Sequence, residues 1–245
     1  MAKTVLVFGA SGTIGQGFIK ASLEKGDVKV VGIFRSEESV KKVSERLGNP
    51  AEDKFVSVVG NVGSEKDAAD LQKKVLEKVG SYTDVVATVG GFSFAKTLLE
   101  FSVEEIRTIV CTDKIEPHFL IAKYFLLPIQ DKEGTSFTFI NGGAAYQPFP
   151  NFGHMTISNG ALMKLVQVVM AEHKDKPVRI NEFVIACFVT PWDNPTVPPG
   201  LTFSRTDNIT MGKGLLGVIV HPNSKNVVLD VTVENVEKLA KDGTL

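Results

Sequence analysis

Three glycines raise the first chemical possibility. Gly9-Ala-Ser-Gly12-Thr-Ile-Gly15 follows an apolar, β-branched run and opens a helical pattern. Glycines at these positions let a chain turn tightly, bring its backbone against a pyrophosphate and pack the next helix on the strand. The helix N-terminus then offers free N–H groups and the positive end of its dipole. Ser11, Thr13 and Ile14 lie within the same turn and belong to the expected phosphate site. Twenty residues beyond Gly15, a second run ends in Arg35-Ser36, with no carboxylate before Glu37. A carboxylate there would take a ribose 2′-hydroxyl, whereas a guanidinium suits a 2′-phosphate, so the expected ligand is NADP(H). Asn61 and Val62, ending a third run, are placed for the adenine. Gly90 and Gly91, ending a fourth, let the backbone lie close to the adenosine ribose.

These positions make sense only if strands carry them to one edge. Seven short apolar stretches, starting with KTVLVFGA and ending with KNVVLDVTV, alternate with helical patterns at 14–25, 37–47, 65–79, 103–128 and 156–173. Continuous apolar runs without period-2 alternation are those of parallel strands covered on both faces. The order predicts an α/β fold: one doubly wound Rossmann-type domain over residues 1–245, with helices on both faces of a parallel sheet. Residues 191–214 break the pattern with four prolines and three glycines. With Trp192, Leu201 and Phe203 to bury, this segment is expected to be a lid over a cleft.

Composition narrows the class. The chain has 245 residues, 43% hydrophobic, and a net charge of −1 with both signs dispersed, so neither nucleic acid nor a membrane surface is an expected partner. The N-terminus enters a strand at once and no apolar run reaches spanning length. Two cysteines, Cys111 and Cys187, fit a reduced cytoplasmic setting and no metal-ligand spacing, and no metal site is expected.

On FGASGTIG, DVVATVGG, FTFINGG before a long helix, and Thr190-Pro191 after the sixth strand, the chain resembles the short-chain dehydrogenase/reductase family along almost its whole length. The glycine spacing is that of the family's extended and atypical branches, although the length is that of its compact branch. The resemblance implies an NADP(H)-dependent oxidoreductase, with Thr190 near the cofactor and a dimer or tetramer joined through the helices at 103–128 and 156–173. It also implies a Ser, Tyr, Lys and Asn relay, and here the chain departs at all four places. Lys114 stands for the asparagine, Gly142 for the serine, Met155 for the tyrosine and Asn159 for the lysine. No Tyr-x-x-x-Lys occurs anywhere in the sequence. Met155 and Gly142 exchange no proton near neutrality, and Asn159 keeps only hydrogen bonding, for a ribose.

Replacement proton donors are Tyr146, His154 and Lys114. Each also has a plainer role open to it: Tyr146 as a packed ring, His154 as a capping or surface residue, Lys114 as an ion-pair partner. Phe92, Met155 and Trp192 are expected to line a pocket for a small, largely apolar substrate. Three functions follow: an atypical oxidoreductase with a rebuilt proton donor, an inactive NADP(H)-binding sensor or scaffold, or a non-redox enzyme performing cyclisation or isomerisation.

Overall fold

The computed structural model describes residues 3–93, 95–197 and 202–245. In chain order its strands are β1 (Lys3–Phe8), β2 (Val28–Phe34), β3 (Phe55–Val59), β4 (Asp84–Ala87), β5 (Ser136–Gly142), β6 (Arg179–Ile185), β7 (Phe188–Thr190), β8 (Arg205–Asp207) and β9 (Val228–Val231). Seven of them form one sheet, ordered β3-β2-β1-β4-β5-β6-β9. Every pairing in it is parallel, with Val5 opposite both Val30 and Asp84 and Ser136 opposite Arg179. The strand order reverses beside β1, so the carboxyl ends of β1 and β4 diverge there and open the crevice in which such sheets bind ligands.

The helices are α1 (Thr13–Lys25), α2 (Glu37–Arg46), α3 (Glu65–Val79), α4 (Val103–Arg107), α5 (Glu116–Ile121), α6 (Gly153–Glu172), α7 (Asn208–Val220) and α8 (Val236–Asp242). Alternate residues of β1 feed two cores. Leu6 and Phe8 pack with Leu71, Phe125 and Leu162 under α3, α5 and α6, while Val5 and Val7 pack with Phe18, Met211 and Leu215 under α1 and α7. Both faces are covered, which explains the strands' uninterrupted apolar runs.

Between Val103 and Leu126 the helix is continuous but not uniform. Thr108–Ile115 and Ala122–Leu126 are π-helical, and the Glu116 N–H bonds the Cys111 carbonyl five residues back. Lys114 therefore lies in a widened turn, a feature frequent at functional sites.

The expected lid over 191–214 is corrected in its second half. Arg205–Asp207 is strand β8, paired in parallel with β7, and residues from Asn208 onward form α7. Glycines in NITMGKGLLG disguise this helix, because each costs about 1 kcal/mol in a helix interior. Here they allow contact: a Cβ on Gly212 would lie 2.4 Å from the Gly17 carbonyl oxygen of α1. Leu201 lies outside the described residues.

Candidate functional site

The glycine turn is locked by its own backbone. Gly9 has φ +80°, and a Cβ there would lie 2.2 Å from the Thr88 carbonyl oxygen. Gly15 is buried beneath the turn, where a Cβ would meet the Gly9 carbonyl oxygen at 2.3 Å. The Gly12 N–H closes the turn onto that oxygen at 2.9 Å. Gly12 then caps α1 with neither a side-chain cap nor an acidic residue in the first turn. The helix end keeps free N–H groups and an uncancelled positive dipole, a site for phosphate oxygens.

Two adjoining cavities meet at this turn, sharing Gly12 and Thr88–Gly91. The outer one, about 610 Å³, is lined by Ser11, Arg35, Asn61 and Val62. Arg35 is exposed there and has no hydrogen-bond or ion-pair partner among the described residues, so its guanidinium is available to an anion. Ser36 is committed elsewhere: it caps α2, its hydroxyl accepting from the Ser39 N–H at 3.3 Å. The Asn61 amide oxygen accepts from the Val62 N–H at 2.8 Å, which leaves its NH₂ group for a ligand.

The inner cavity, about 420 Å³, runs from Gly12, Thr13 and Ile14 to Lys114, Gly142, Met155 and Asn159. Every position of the altered relay therefore faces one space. Lys114 reaches across the end of β4, its Nζ only 3.2 Å from where a Gly90 Cβ would be. The Asn159 amide nitrogen would lie 3.0 Å from a Cβ at Gly142, so glycine there makes room for asparagine. The cation that the resemblance puts on α6 is instead on the neighbouring helix, with asparagine in its former place.

Behind these residues lies a feature the sequence reading passed over. Glu182, in the middle of β6, is completely buried. Its Oε1 accepts from Asn141 Nδ2 at 2.7 Å, and the same nitrogen lies 3.0 Å from the Asn159 carbonyl oxygen. Its Oε2 has no hydrogen-bond partner among the described residues. Burial pushes the Lys114 ammonium down to about 8, opposed by the Glu182 charge. Burial also raises the Glu182 carboxyl, opposed by the Asn141 hydrogen bond and by Lys114. A lone acid inside VRINEFVIA was the available signal, because strands covered on both faces rarely hold one.

The other candidates separate. Tyr146 follows the turn after β5 and lines a third cavity beside Met155 and Asn159; burial, then Asp230 and Glu182, raises its phenol above the usual range. His154 is corrected as a cleft residue. It is only 2% exposed, its Nε2 lies 3.1 Å from the Ser93 hydroxyl oxygen, its ring lies against Phe101, and it lines none of these cavities. Adjacent helix residues point about 100° apart, so Met155 can face the cleft only by turning His154 away.

Trp192 is also corrected as a pocket wall. Its ring lies 4.3 Å beneath the Arg46 guanidinium and 5.7 Å from Lys20 Nζ, while Arg46 pairs with Asp193 and reaches Gln16 at 2.7 Å. This cluster fastens the segment after β7 to α1 and α2. Pro191 and Thr196 line the inner cavity instead. Thr190, expected near the cofactor, lines none of the three cavities; it is buried with its hydroxyl 3.4 Å from the Thr206 carbonyl oxygen. Phe92, in contrast, lines both the inner and the third cavity.

Comparison with known proteins agrees with this architecture. An uncharacterized oxidoreductase of Saccharomyces cerevisiae is 26% identical over 176 residues, covering 71% of this chain and 66% of that protein. A short chain oxidoreductase from Pseudomonas aeruginosa PAO1, containing an atypical catalytic center, superposes with a TM-score of 0.79 at 16% identity, covering 94% of this chain and 95% of the other. The structure of ElxO with NADP bound gives 0.78 at 19% identity, covering 94% and 97%. At these identities the two structures establish a shared fold. The short chain dehydrogenase family matches residues 3–198, and the chain belongs to that family.

Proposed function

We propose that the protein is an NADP(H)-dependent oxidoreductase that reduces a small, largely apolar carbonyl compound, with Lys114 as the proton donor. One observation carries this reading: two adjoining cavities that share Gly12 and Thr88–Gly91 link the phosphate turn and Arg35, unpaired among the described residues, to a space faced by Lys114, Asn159 and Met155. The residues fit the dinucleotide. A backbone cradle at Gly9–Gly15 suits the pyrophosphate, Arg35 a 2′-phosphate, and Asn61 and Val62 the adenine. The Asn159 amide suits the nicotinamide ribose. When bound, the dinucleotide supplies the hydride.

The chain's own groups do the rest. The Lys114 ammonium donates a proton to the carbonyl oxygen as that oxygen gains charge, and becomes a neutral amine that solvent reprotonates. With its pKa near 8, the ammonium is mostly charged at neutral pH yet a far better acid than an exposed lysine. Glu182 stabilises the charged form through the buried polar layer, and Met155 offers an apolar wall where a phenol would stand. Phe119 and Val168, each about half exposed on α5 and α6, support a homodimer or homotetramer joined through these helices. The free thiols of Cys111 and Cys187 suit a cytoplasmic setting.

The test is calorimetric NADPH binding, followed by NADPH oxidation over a panel of aldehydes and ketones by the wild type and Lys114→Met. Stoichiometric binding with turnover that Lys114→Met abolishes supports the proposal. Binding without turnover on any carbonyl would favour the second reading, a cofactor-responsive sensor or scaffold, which Met155 and Gly142 at the relay positions already support.

A further inference from the structure

The third cavity, about 340 Å³, opens beside Met155 and Asn159, next to the end of the cleft where Lys114 lies. Six rings contribute to its walls: Phe92, Phe149, Phe152, Phe188, Phe203 and Tyr146. The five phenylalanine rings touch one another as a chain, with Phe152 and Phe149 linked edge-on at 6.3 Å. Phe188 meets Phe92 edge-on at 5.2 Å, Phe92 meets Phe152 at 5.4 Å, and Phe149 meets Phe203 edge-on at 5.4 Å. Phe92, Phe203 and Tyr146 are nevertheless between 39% and 48% exposed, so ring surface is left facing the cavity and its mouth. Among the described residues, the one ionisable group on the lining besides Tyr146 and Cys187 is Asp230, a carboxylate.

We infer that this cavity receives the aromatic ring of the substrate, and that the substrates are neutral aryl carbonyl compounds; this rests on the oxidoreductase reading above. The volume is suitable, since an apolar cavity of about 150 Å³ already holds benzene. This one has room for a substituted ring. Edges and faces presented together complement a flat π-system in offset or edge-to-face contact, and such contacts add about two- to tenfold in affinity beyond buried area. A saturated ring of the same size gains the burial but not this addition. Asp230 puts a negative potential on its side of the cavity, and after burial its charge and that of Glu182 raise the Tyr146 phenol. That potential disfavours carboxylate- or phosphate-bearing substrates. A carbonyl carbon attached to the bound ring lies toward Asn159 and the Lys114 end of the cleft, where the polar groups are.

Unreactive probes separate recognition from turnover. Benzamide, cyclohexanecarboxamide and 4-carboxybenzamide are titrated calorimetrically into the protein, with and without saturating NADP⁺. Benzamide is expected to bind about three- to tenfold more tightly than its saturated analogue, and the anionic probe more weakly than benzamide. Phe149→Leu and Phe203→Leu should each bring the benzamide preference toward unity while leaving NADP⁺ affinity unchanged. Equal affinity of the two neutral amides, no binding of either, or a preference untouched by both substitutions would overturn the inference. Failure of NADP⁺ to bind, with the ring preference intact, would strike the cofactor reading instead.

Discussion

Glu182→Gln is the most informative substitution, because it changes a charge while keeping shape and the hydrogen bond with Asn141. If Lys114 donates the proton, kcat/KM for carbonyl reduction is flat at low pH and falls tenfold per unit above the lysine's pKa of about 8. Glu182 raises that pKa, and burial lowers it. Removing the carboxylate leaves burial unopposed, so the limb must move to lower pH. Glu182 makes no ion pair with Lys114 but acts on it through its charge, and a nearby opposite charge shifts a pKa by on the order of one unit. For a one-unit change, the protonated fraction at pH 7.5 drops from about three quarters to about one quarter, roughly a threefold loss of rate, while at pH 6 the variant equals the wild type. The charged and titratable groups around Lys114 include Glu116 and His118 on α5, Glu182 on β6, and Asp113 beside it in the π-helical segment. His118, held by burial down to about 3, stays neutral over this range. The assay is a pH profile of NADPH oxidation, with thermal melts establishing that both proteins are folded at each pH. A limb that stays at the wild-type pH, or moves upward, refutes the coupling; full activity in Lys114→Met refutes the role of Lys114 altogether.

Other expectations are simpler to check. Arg35→Glu should weaken NADPH binding about ten- to hundredfold and narrow its preference over NADH, as fluorescence titration would read. His154→Ala should retain turnover but lower stability by about 1–3 kcal/mol in denaturant unfolding, because the ring is packed on Phe101 rather than directed at the cleft. Gly142→Ser should not raise turnover above that of the wild type and should weaken cofactor binding, since its Cβ would lie 3.0 Å from the Asn159 amide. Stability should fall as pH drops below the unfolded histidine value, because burial depresses His118 and His154 and the unfolded chain takes up their protons first. Melting temperatures at pH 7 and pH 5 test this, and His118→Gln should flatten the slope.

Some of this protein could be read locally. β-branched runs between helical patterns predict the parallel sheet, and the strands fall where those runs lie. The glycine turn is visible because its strand, turn and helix are consecutive, and Arg35 because it ends the next strand. Helix α7 escaped because its glycines count against a helix by propensity, and only the approach of α1 explains them. Thr190 is assigned to the cofactor by resemblance and Trp192 to the pocket wall by its apolar bulk, but the pairing with β8 and the clamp by Arg46 direct them elsewhere.

The loss of the usual relay was evident from Met155 and Asn159 alone. What stands in its place was not, because it depends on residues far apart in sequence. Lys114 from a widened helix, Asn141 from β5 and Glu182 from β6 become neighbours only when the sheet brings β5 and β6 into register and α6 packs over them. The rings of Phe92, Phe149 and Phe203 likewise share one cavity only in the fold. Local pattern selects the elements because periodicity is a property of neighbours in the chain. The site's acidity and shape are set by distances across the sheet, and those exist only after folding.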